Sequence, residues 1–476
     1  MNDRGLEDAG GVRQLTSRWV IMGEVVLETA AHFGCEEGNS ADMTIIRDAR
    51  EGRALLTGPS LAGALRSYLA DVLGGYFSEE HEDVKRLFGG RRGDEEGAQS
   101  PLIVFDALGK TPEETAIEIR DGVAIDPITG TAEAHRKFDF EVLPAGTVFP
   151  VRFDLLVEDG ANESLLLPLL VTALEGLSKG EIHMGMRRSR GLGRIRAGKW
   201  KVKRYDLGSQ NGWLAWVSVD PLIPLAEVDA REDLEEAMAE ARGEWEKVSF
   251  TDQRRRMVAE LKLELKGDLL ARSPASEPDA PDVVHLHSGG RPVLPGTGLT
   301  GALRAQALRI ARAVRNGNGD KLVDQIFGPR LEGTTSRNFH SRASRLHVSE
   351  SAVEEGQARR QTRIAVDRFT GGVVEGALFD EEVIVGGRTR VRLELRNPTD
   401  AEMGLVLLLV RDLLMGEIPV GGGVSAGRGL LTGEAEITFP DGKCVRVSRE
   451  LTVEEDESVL NKKIWAFHEE GTHERT

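Results

Sequence analysis

Two aspartates, Asp42 in "ADMTIIRD" and Asp282 in "PDVVHLHS", each precede a glycine-rich phrase: "GPSLAGALR" from Gly58 and "GTGLTGALR" from Gly296. A loop carboxylate can accept a proton or hold a divalent cation. A glycine turn feeding a helix offers free N–H groups and the positive end of the helix dipole to an anion. Two more glycine-bearing stretches follow, "GEIHMGMRRSRGLGRI" from Gly180 and "GEIPVGGGVSAGRGLL" from Gly416, the first rich in arginine and the second in bare glycine. Charged side chains and backbone amides are alternative grips on a phosphate. Each feature also has a plainer explanation, because loop aspartates bond turn amides and glycines close tight turns against packed helices. Neither phrase fits G-x-x-x-x-G-K-[ST] or a dinucleotide fingerprint, which argues against an NTPase.

These features recur in the same order. The pairs Asp42/Asp282, Gly58/Gly296, Asp126/Asp367 and Gly180/Gly416 lie 240, 238, 241 and 236 residues apart, and "KRLFGG" is echoed by "DQIFGP". Repetition of four phrases at one offset marks a duplicated domain. The expected organisation is an N-terminal extension (1–18), a first domain (19–204), a connector (205–256), a second domain (257–447) and a C-terminal tail (448–476). "WVIMGEVVLETA" and "LKLELKG" alternate at period two, as half-buried strands do. After Pro59, Leu61, Ala64, Leu65, Tyr68, Leu69 and Val72 form one helix face, matched by Leu299, Ala302, Leu303, Ala307, Ile310 and Val314. Antiparallel strands with helices on one face predict an α+β, ferredoxin-like domain in each half. The Glu-, Ala- and Arg-rich run Val228 to Lys247 predicts an exposed connector helix, and "IWAF" (Ile464 to Phe467) predicts a docking segment in the tail.

Composition narrows the class. Of 476 residues, 40% are hydrophobic and 29% charged, as in globular proteins. No apolar run reaches the roughly 18 residues of a membrane span, and the first residues lack the apolar stretch of a signal peptide. Two cysteines are too few for a disulfide framework or a cysteine-rich zinc site. A cytoplasmic location is the expectation. The net charge of −17 opposes polyanion binding unless basic residues are concentrated locally, as they are in "MRRSRGLGRIR" and "ARRQTRIAVDR".

Taken together, "LETAAHFG…ADMTIIRD…LLTGPSLAGALR", "IDPITG" and "SRGLGR", with "VLPGTGLTGALR", "VDRFTGGVVEGALFDEE" and "GGGVSAGRG" in the second half, resemble the repeat-associated mysterious proteins, the RAMP superfamily of CRISPR systems. More narrowly, the pattern resembles that of the backbone subunit of type III effector complexes, here as a tandem pair. The resemblance covers both domains but neither the connector nor the tails. It implies ferredoxin-type cores with a protruding thumb hairpin at Asp126 to Glu141 and Asp367 to Glu382. It also implies guide (CRISPR) RNA, target single-stranded RNA and other type III effector subunits as partners, and metal-dependent cleavage of target RNA at Asp42 and Asp282, with Asp279 a rival in the second domain.

Groups facing RNA would be His32, Ser60, Arg66, Arg187, Arg188, Arg190, Gly191, Gly193 and Arg194 in the first domain. In the second they would be Arg304, Arg368, Gly421, Gly422, Gly423, Gly427 and Arg428. Leu270 aligns with His32, so the second domain lacks that histidine. RNA carries its own nucleophile, the 2′-hydroxyl, so a protein need only supply in-line geometry, a proton acceptor or cation and charge neutralisation. One carboxylate holding Mg²⁺ or another divalent cation through water suffices. A catalytically silent guide-RNA scaffold and a guide-processing endoribonuclease remain alternatives, as does a protein scaffold without RNA.

Overall fold

The computed structural model describes residues 14–35, 41–90, 98–112, 117–126, 129, 131–158, 160–220, 224–242, 248–274, 280–315, 319–329, 342–454 and 457–473. In unit 1 the main elements are β1 (Ser17–Leu27), α1 (Gly58–Gly74), β2 (Leu102–Val104), a hairpin of β3 (Glu118–Ile125) and β4 (Ala132–Val142), β5 (Val148–Val157), α2 (Gly160–Ser178) and β6 (Ile195–Asp206). Without the hairpin the path is βαββαβ. The sheet order is β6-β1-β5-β2 with every neighbouring pair antiparallel, the split βαβ arrangement. The connector contributes α3 (Gln210–Val217) and α4 (Leu234–Arg242).

Unit 2 repeats the path with β7 (Arg256–Lys266), α5 (Gly296–Arg315), β8 (Leu346–Val348), the hairpin β9 (Gln357–Val366) and β10 (Val373–Val385), β11 (Arg388–Arg396), α6 (Asp400–Leu414) and β12 (Leu430–Thr438). Its sheet order is β12-β7-β11-β8, extended beyond β12 by β13 (Cys444–Val447) and β14 (Val453–Glu454). A final helix, α7 (Glu457–His473), closes the unit.

The alternation in β1 puts Trp19, Ile21, Val25 and Leu27 against the helices, where Leu61, Leu65 and Leu69 of α1 meet them. Leu299, Leu303 and Ala307 of α5 do the same in unit 2. The connector departs from expectation. Helix α4 covers only Leu234–Arg242 of the predicted span, and Leu234, Ala237 and Met238 are buried in the core of unit 1. Composition read this helix as exposed because its apolar stripe is short and flanked by charge. Residues 243–247 lie outside the described residues. In the tail, α7 packs on α6 of its own unit, with Phe467 buried and Gly404 admitting the backbone of Lys463.

The two units are joined by more than the connector. Arg120 of β3 forms a buried bidentate pair with Glu350 of unit 2 (2.5 and 2.9 Å). The Gly289 N–H donates to Glu118 (2.8 Å), and the Tyr76 hydroxyl donates to Glu394 (3.3 Å). The base of the first hairpin and the helix-end face of unit 1 thus rest on the sheet and loops of unit 2.

Candidate nucleic-acid interface

Asp42 is exposed on the segment that crosses the base of the first hairpin. Its Oδ2 accepts the Asp139 N–H from β4 (3.0 Å), its own N–H donates to Asp139 Oδ1 (2.8 Å), and Met43 bridges Phe140 in parallel. Asp282 is exposed at the corresponding place. Its Oδ2 accepts the Asp380 N–H from β10 (2.9 Å), and Val283 bridges Glu381 in parallel. Two carboxylates 240 positions apart are therefore held the same way by the same strand of each hairpin. Asp279 lies outside the described residues, so the equivalence rests on Asp282. The hairpin tips also repeat, with the Asp126 N–H bonded to Thr131 O and the Asp367 N–H to Gly372 O (both 2.9 Å).

The second partners of these carboxylates differ. Asp380 is ion-paired by Arg360 (2.5 Å), whereas Asp139 faces Asp121 across the hairpin, with Lys137 pairing Asp121 at 3.0 Å. Among the described residues no group of three or more His, Cys, Asp or Glu side chains is arranged to hold a metal ion. A single exposed carboxylate with a fixed backbone fits an ion such as Mg²⁺, which keeps most of its water and takes one or two protein oxygens. Asp42 and Asp282 would each be that ligand.

Each glycine-rich loop wraps a short 3₁₀ turn, Arg188–Arg190 in unit 1 and Val424–Ala426 in unit 2. Gly191 and Gly427 end these turns in the left-handed region, and Arg187 and Gly423 begin them there, at φ 57° and 75°. Gly193 and Gly429 are required by packing as well as by φ, because a Cβ would overlap the Met184 and Val420 carbonyl oxygens. Leu270 occupies the place of His32, since the Gly422 N–H bonds its carbonyl (2.6 Å) as the Met186 N–H bonds that of His32 (3.1 Å).

In unit 1 the loop after β1, the start of α1 and the glycine-rich loop enclose a cleft of about 550 Å³, lined by His32, Met43, Ser60, His183, Gly185 and Arg188 among others. Three sequence-derived candidates therefore converge: His32, Ser60 and Arg188. Ser60 accepts from Thr57 Oγ1 (2.8 Å) at the helix start. The His32 ring is buried, and its Nδ1 donates to the Glu141 carbonyl (2.6 Å), which assigns it first to joining β1 to the hairpin. Gly34 lacks a Cβ because that ring lies over it. Unit 2 fills the equivalent interior from the opposite strand: His285 is buried, its Nδ1 accepting the Ala271 N–H (3.1 Å) and its Nε2 donating to Val293 O (3.0 Å). Burial pushes its pKa down to about 4.

Several predicted arginines are paired with acids of their own unit. Arg66 is bidentate on Glu80 (2.7 and 2.8 Å), and Arg304 binds Asp324 (2.6 Å) and the Gly328 carbonyl (2.7 Å). Both brace the first helix of their unit to the segment C-terminal to it. Arg194 is paired with Glu28 (2.7 Å). Arg428, expected at the RNA, is buried between Glu381 (2.8 Å) and Gln361 (2.6 Å). In all four the sequence shows the cation and conceals the nearby acid.

Arg188 and Arg190 remain exposed, and Arg187 lies over the rings of Phe138 and Phe140 (4.8 and 4.6 Å). Burial, with Arg190 nearby, lowers the Arg187 pKa to about 10, leaving it charged at neutral pH. Gly191 is covered by Ser349 and Glu350 of unit 2, while nothing approaches Gly427. Gly421 and Gly422 pack beside the Leu270 carbonyl and Arg272. Arg368 stands on Phe369 (4.7 Å) at the tip of the second hairpin. Sequence reasoning missed Met43 and His183 in the cleft; His183 stood within "GEIHMG", but one histidine in a glycine-rich run gave no separate signal.

Both halves are α+β domains of the same path, each with an inserted hairpin and a glycine-rich loop. The RAMP superfamily pattern matches residues 24–196 and 262–432, and the chain belongs to that superfamily, whose members are CRISPR-associated RNA-binding proteins and include some ribonucleases. No curated protein matches it. Among the described residues no helix is long and apolar enough to cross a membrane.

Proposed function

We propose that the chain is a double backbone subunit of a type III CRISPR RNA-guided effector complex, binding guide RNA along both units and cleaving complementary single-stranded RNA beside each hairpin. The observation that carries this reading is the repeated placement of Asp42 and Asp282 against the hairpin strand through the Asp139 and Asp380 amides. A strand threaded past both units meets one exposed carboxylate at each hairpin base.

The cleft of unit 1, with Ser60 and Arg188, holds the guide backbone, and the hairpin opens the duplex so that one target nucleotide lies in line for attack by its own 2′-hydroxyl. A divalent ion, when bound, stabilises charge on the scissile phosphate. Asp42 and Asp282 fix that position, and Arg188 and Arg190 offset phosphate charge in unit 1. A guide-processing role would call for metal-independent histidine, tyrosine or lysine chemistry; of the three tyrosines, Tyr76 and Tyr205 are buried and Tyr68 donates to Glu181 (2.8 Å).

The assembled complex, given Mg²⁺ and labelled complementary RNA, tests this with Asp42→Ala, Asp282→Ala and the double variant. Each single change should remove one cut by about 100-fold or more and leave the other, as expected when a positioned acid–base or metal-holding group is lost. Unchanged cutting in the double variant, with guide RNA still bound, would leave a silent scaffold as the answer.

A further inference from the structure

The two carboxylates share one tie to the hairpin, but only one of them has a second. In unit 1 the bonds are reciprocal: Asp42 Oδ2 accepts the Asp139 N–H (3.0 Å), and Asp139 Oδ1 accepts the Asp42 N–H (2.8 Å). Side chain and main chain of Asp42 are thus fastened to a single residue, which closes a ring and restricts both the rotamer and the peptide that carries it. In unit 2 half of that ring is open. Asp282 Oδ2 accepts the Asp380 N–H (2.9 Å), but the return bond to Asp380 Oδ1 is missing. The main-chain tie falls instead to the next residue, where the Val283 N–H reaches the Asp380 carbonyl (3.3 Å).

One cation accounts for the difference. Arg360 lies on the same face of the second hairpin as Asp380 and holds its Oδ2 through both Nε (3.0 Å) and Nη2 (2.5 Å). Charge-assisted bonds of this kind are about twice as strong as a bond from a neutral amide, so the guanidinium sets how the carboxylate is turned. The register puts Ile119 at the place of Arg360 in unit 1, since Asp121 faces Asp139 as Thr362 faces Asp380. Isoleucine cannot compete for the carboxylate. Lys137 is taken up by Asp121 (3.0 Å), and among the described residues no cation pairs with Asp139.

We infer that Asp139 is a positioning residue that locks Asp42, and that Arg360 withholds the same lock from Asp282, so the two units cut at unequal rates and unit 1 is the faster. This deepens the cleavage reading proposed above and rests on it. In-line attack tolerates little displacement, with a misplacement of about 1 Å costing on the order of 100-fold. A carboxylate with both ties holds its place better than one with a single tie.

The assembled complex with Mg²⁺ and saturating labelled complementary RNA shows both cuts in one lane, each assigned by Asp42→Ala or Asp282→Ala, so each unit is the other's control. In single turnover the cut beside unit 1 should be about tenfold the faster, and Asp139→Ser should slow it by about tenfold without touching the other. Asp139→Asn, which keeps the accepting oxygen, should restore the rate. Arg360→Ile should speed the cut beside unit 2 toward that of unit 1, and Ile119→Arg should slow the cut beside unit 1. Hydrogen exchange of the free chain reads the lock without cleavage: the Asp42 amide should exchange about tenfold more slowly than the Asp282 amide, and Arg360→Ile should bring Asp282 level. Equal cutting rates, indifference to Arg360→Ile and Ile119→Arg, or Asp139→Asn as slow as Asp139→Ser, which marks the charge rather than the bond, overturns the inference. A complex that holds guide RNA yet cuts at neither place removes the cleavage reading and the rate difference with it, while equal exchange at the two amides refutes the lock itself.

Discussion

At the base of the first hairpin Ala30, Phe140, Val142 and Leu192 form an apolar cluster with Arg187 lying across its rings; at the base of the second, the matching positions hold Asp268, Glu381, Val383 and Arg428, with Gln361 joining Asp268 to Arg428 and Arg428 paired with Glu381. The backbone is the same in both, down to the left-handed residues that begin and end each 3₁₀ turn. A hairpin can therefore be anchored by burying rings or by burying an ion pair, and the choice decides where the loop's positive charge points. In unit 1 the arginines are left at the surface. In unit 2 the arginine is held inside by Glu381 and Gln361.

The largest effect should come from breaking the unit 2 anchor on one side only. Arg428→Ala takes from the buried Glu381 its nearest partner, leaving Arg363 at 3.1 Å, and should cost about 3 kcal/mol in chemical denaturation, while Glu381→Phe with Arg428→Leu, copying unit 1, should recover most of it. If the double variant is as unstable as the single, the two anchors are not interchangeable.

The loops can be compared next. Gly429→Ala meets both a positive φ and the Val420 carbonyl and should cost about 2–3 kcal/mol, whereas Gly427→Ala, with open space around it, should cost only about 1 kcal/mol. Gly191→Ala, at the position of Gly427, should be the worse of that pair because Glu350 of the neighbouring unit is against it. Equal midpoints for Gly191→Ala and Gly427→Ala would remove the distinction between a docked and a free loop.

Docking brings His183 of the first loop to His347 of unit 2, with rings 6.2 Å apart. Burial lowers the pKa of His183 to about 4 and holds His347 well below its ordinary value. Because the unfolded chain then binds more protons between about pH 6.5 and 4, stability should fall as pH drops through that window. Below it Glu394 adds to the loss: burial opposes its ionisation, yet Arg396 and the other cations around it hold its carboxyl below the usual range, and protonation forfeits that. Thermal midpoints at stepped pH should show the decline, and His183→Asn should flatten its upper part.

The smallest effect concerns Arg187. Glycine there relieves the left-handed backbone but loses the stacking on Phe138 and Phe140, so stability should change by less than about 1 kcal/mol. RNA binding is the sharper readout, with a log–log salt slope shallower by about 0.7 if that charge meets a phosphate.

Much of this was legible beforehand because it is local. Period-two strands, the α1 and α5 stripes and the four recurring phrases fix two α+β units, since burial of one face forces those periodicities whatever the neighbours are. The family resemblance pointed to Asp282 as the partner of Asp42, with Asp279 as its rival. What tertiary structure decided is which charges are spent. Arg66, Arg194, Arg304 and Arg428 read as free cations until the fold brought Glu80, Glu28, Asp324 and Glu381 to them, and α4 read as exposed until three residues of it were found in a core. Ion pairing and docking depend on distance in space between residues far apart in the chain, and a linear pattern carries no record of that distance.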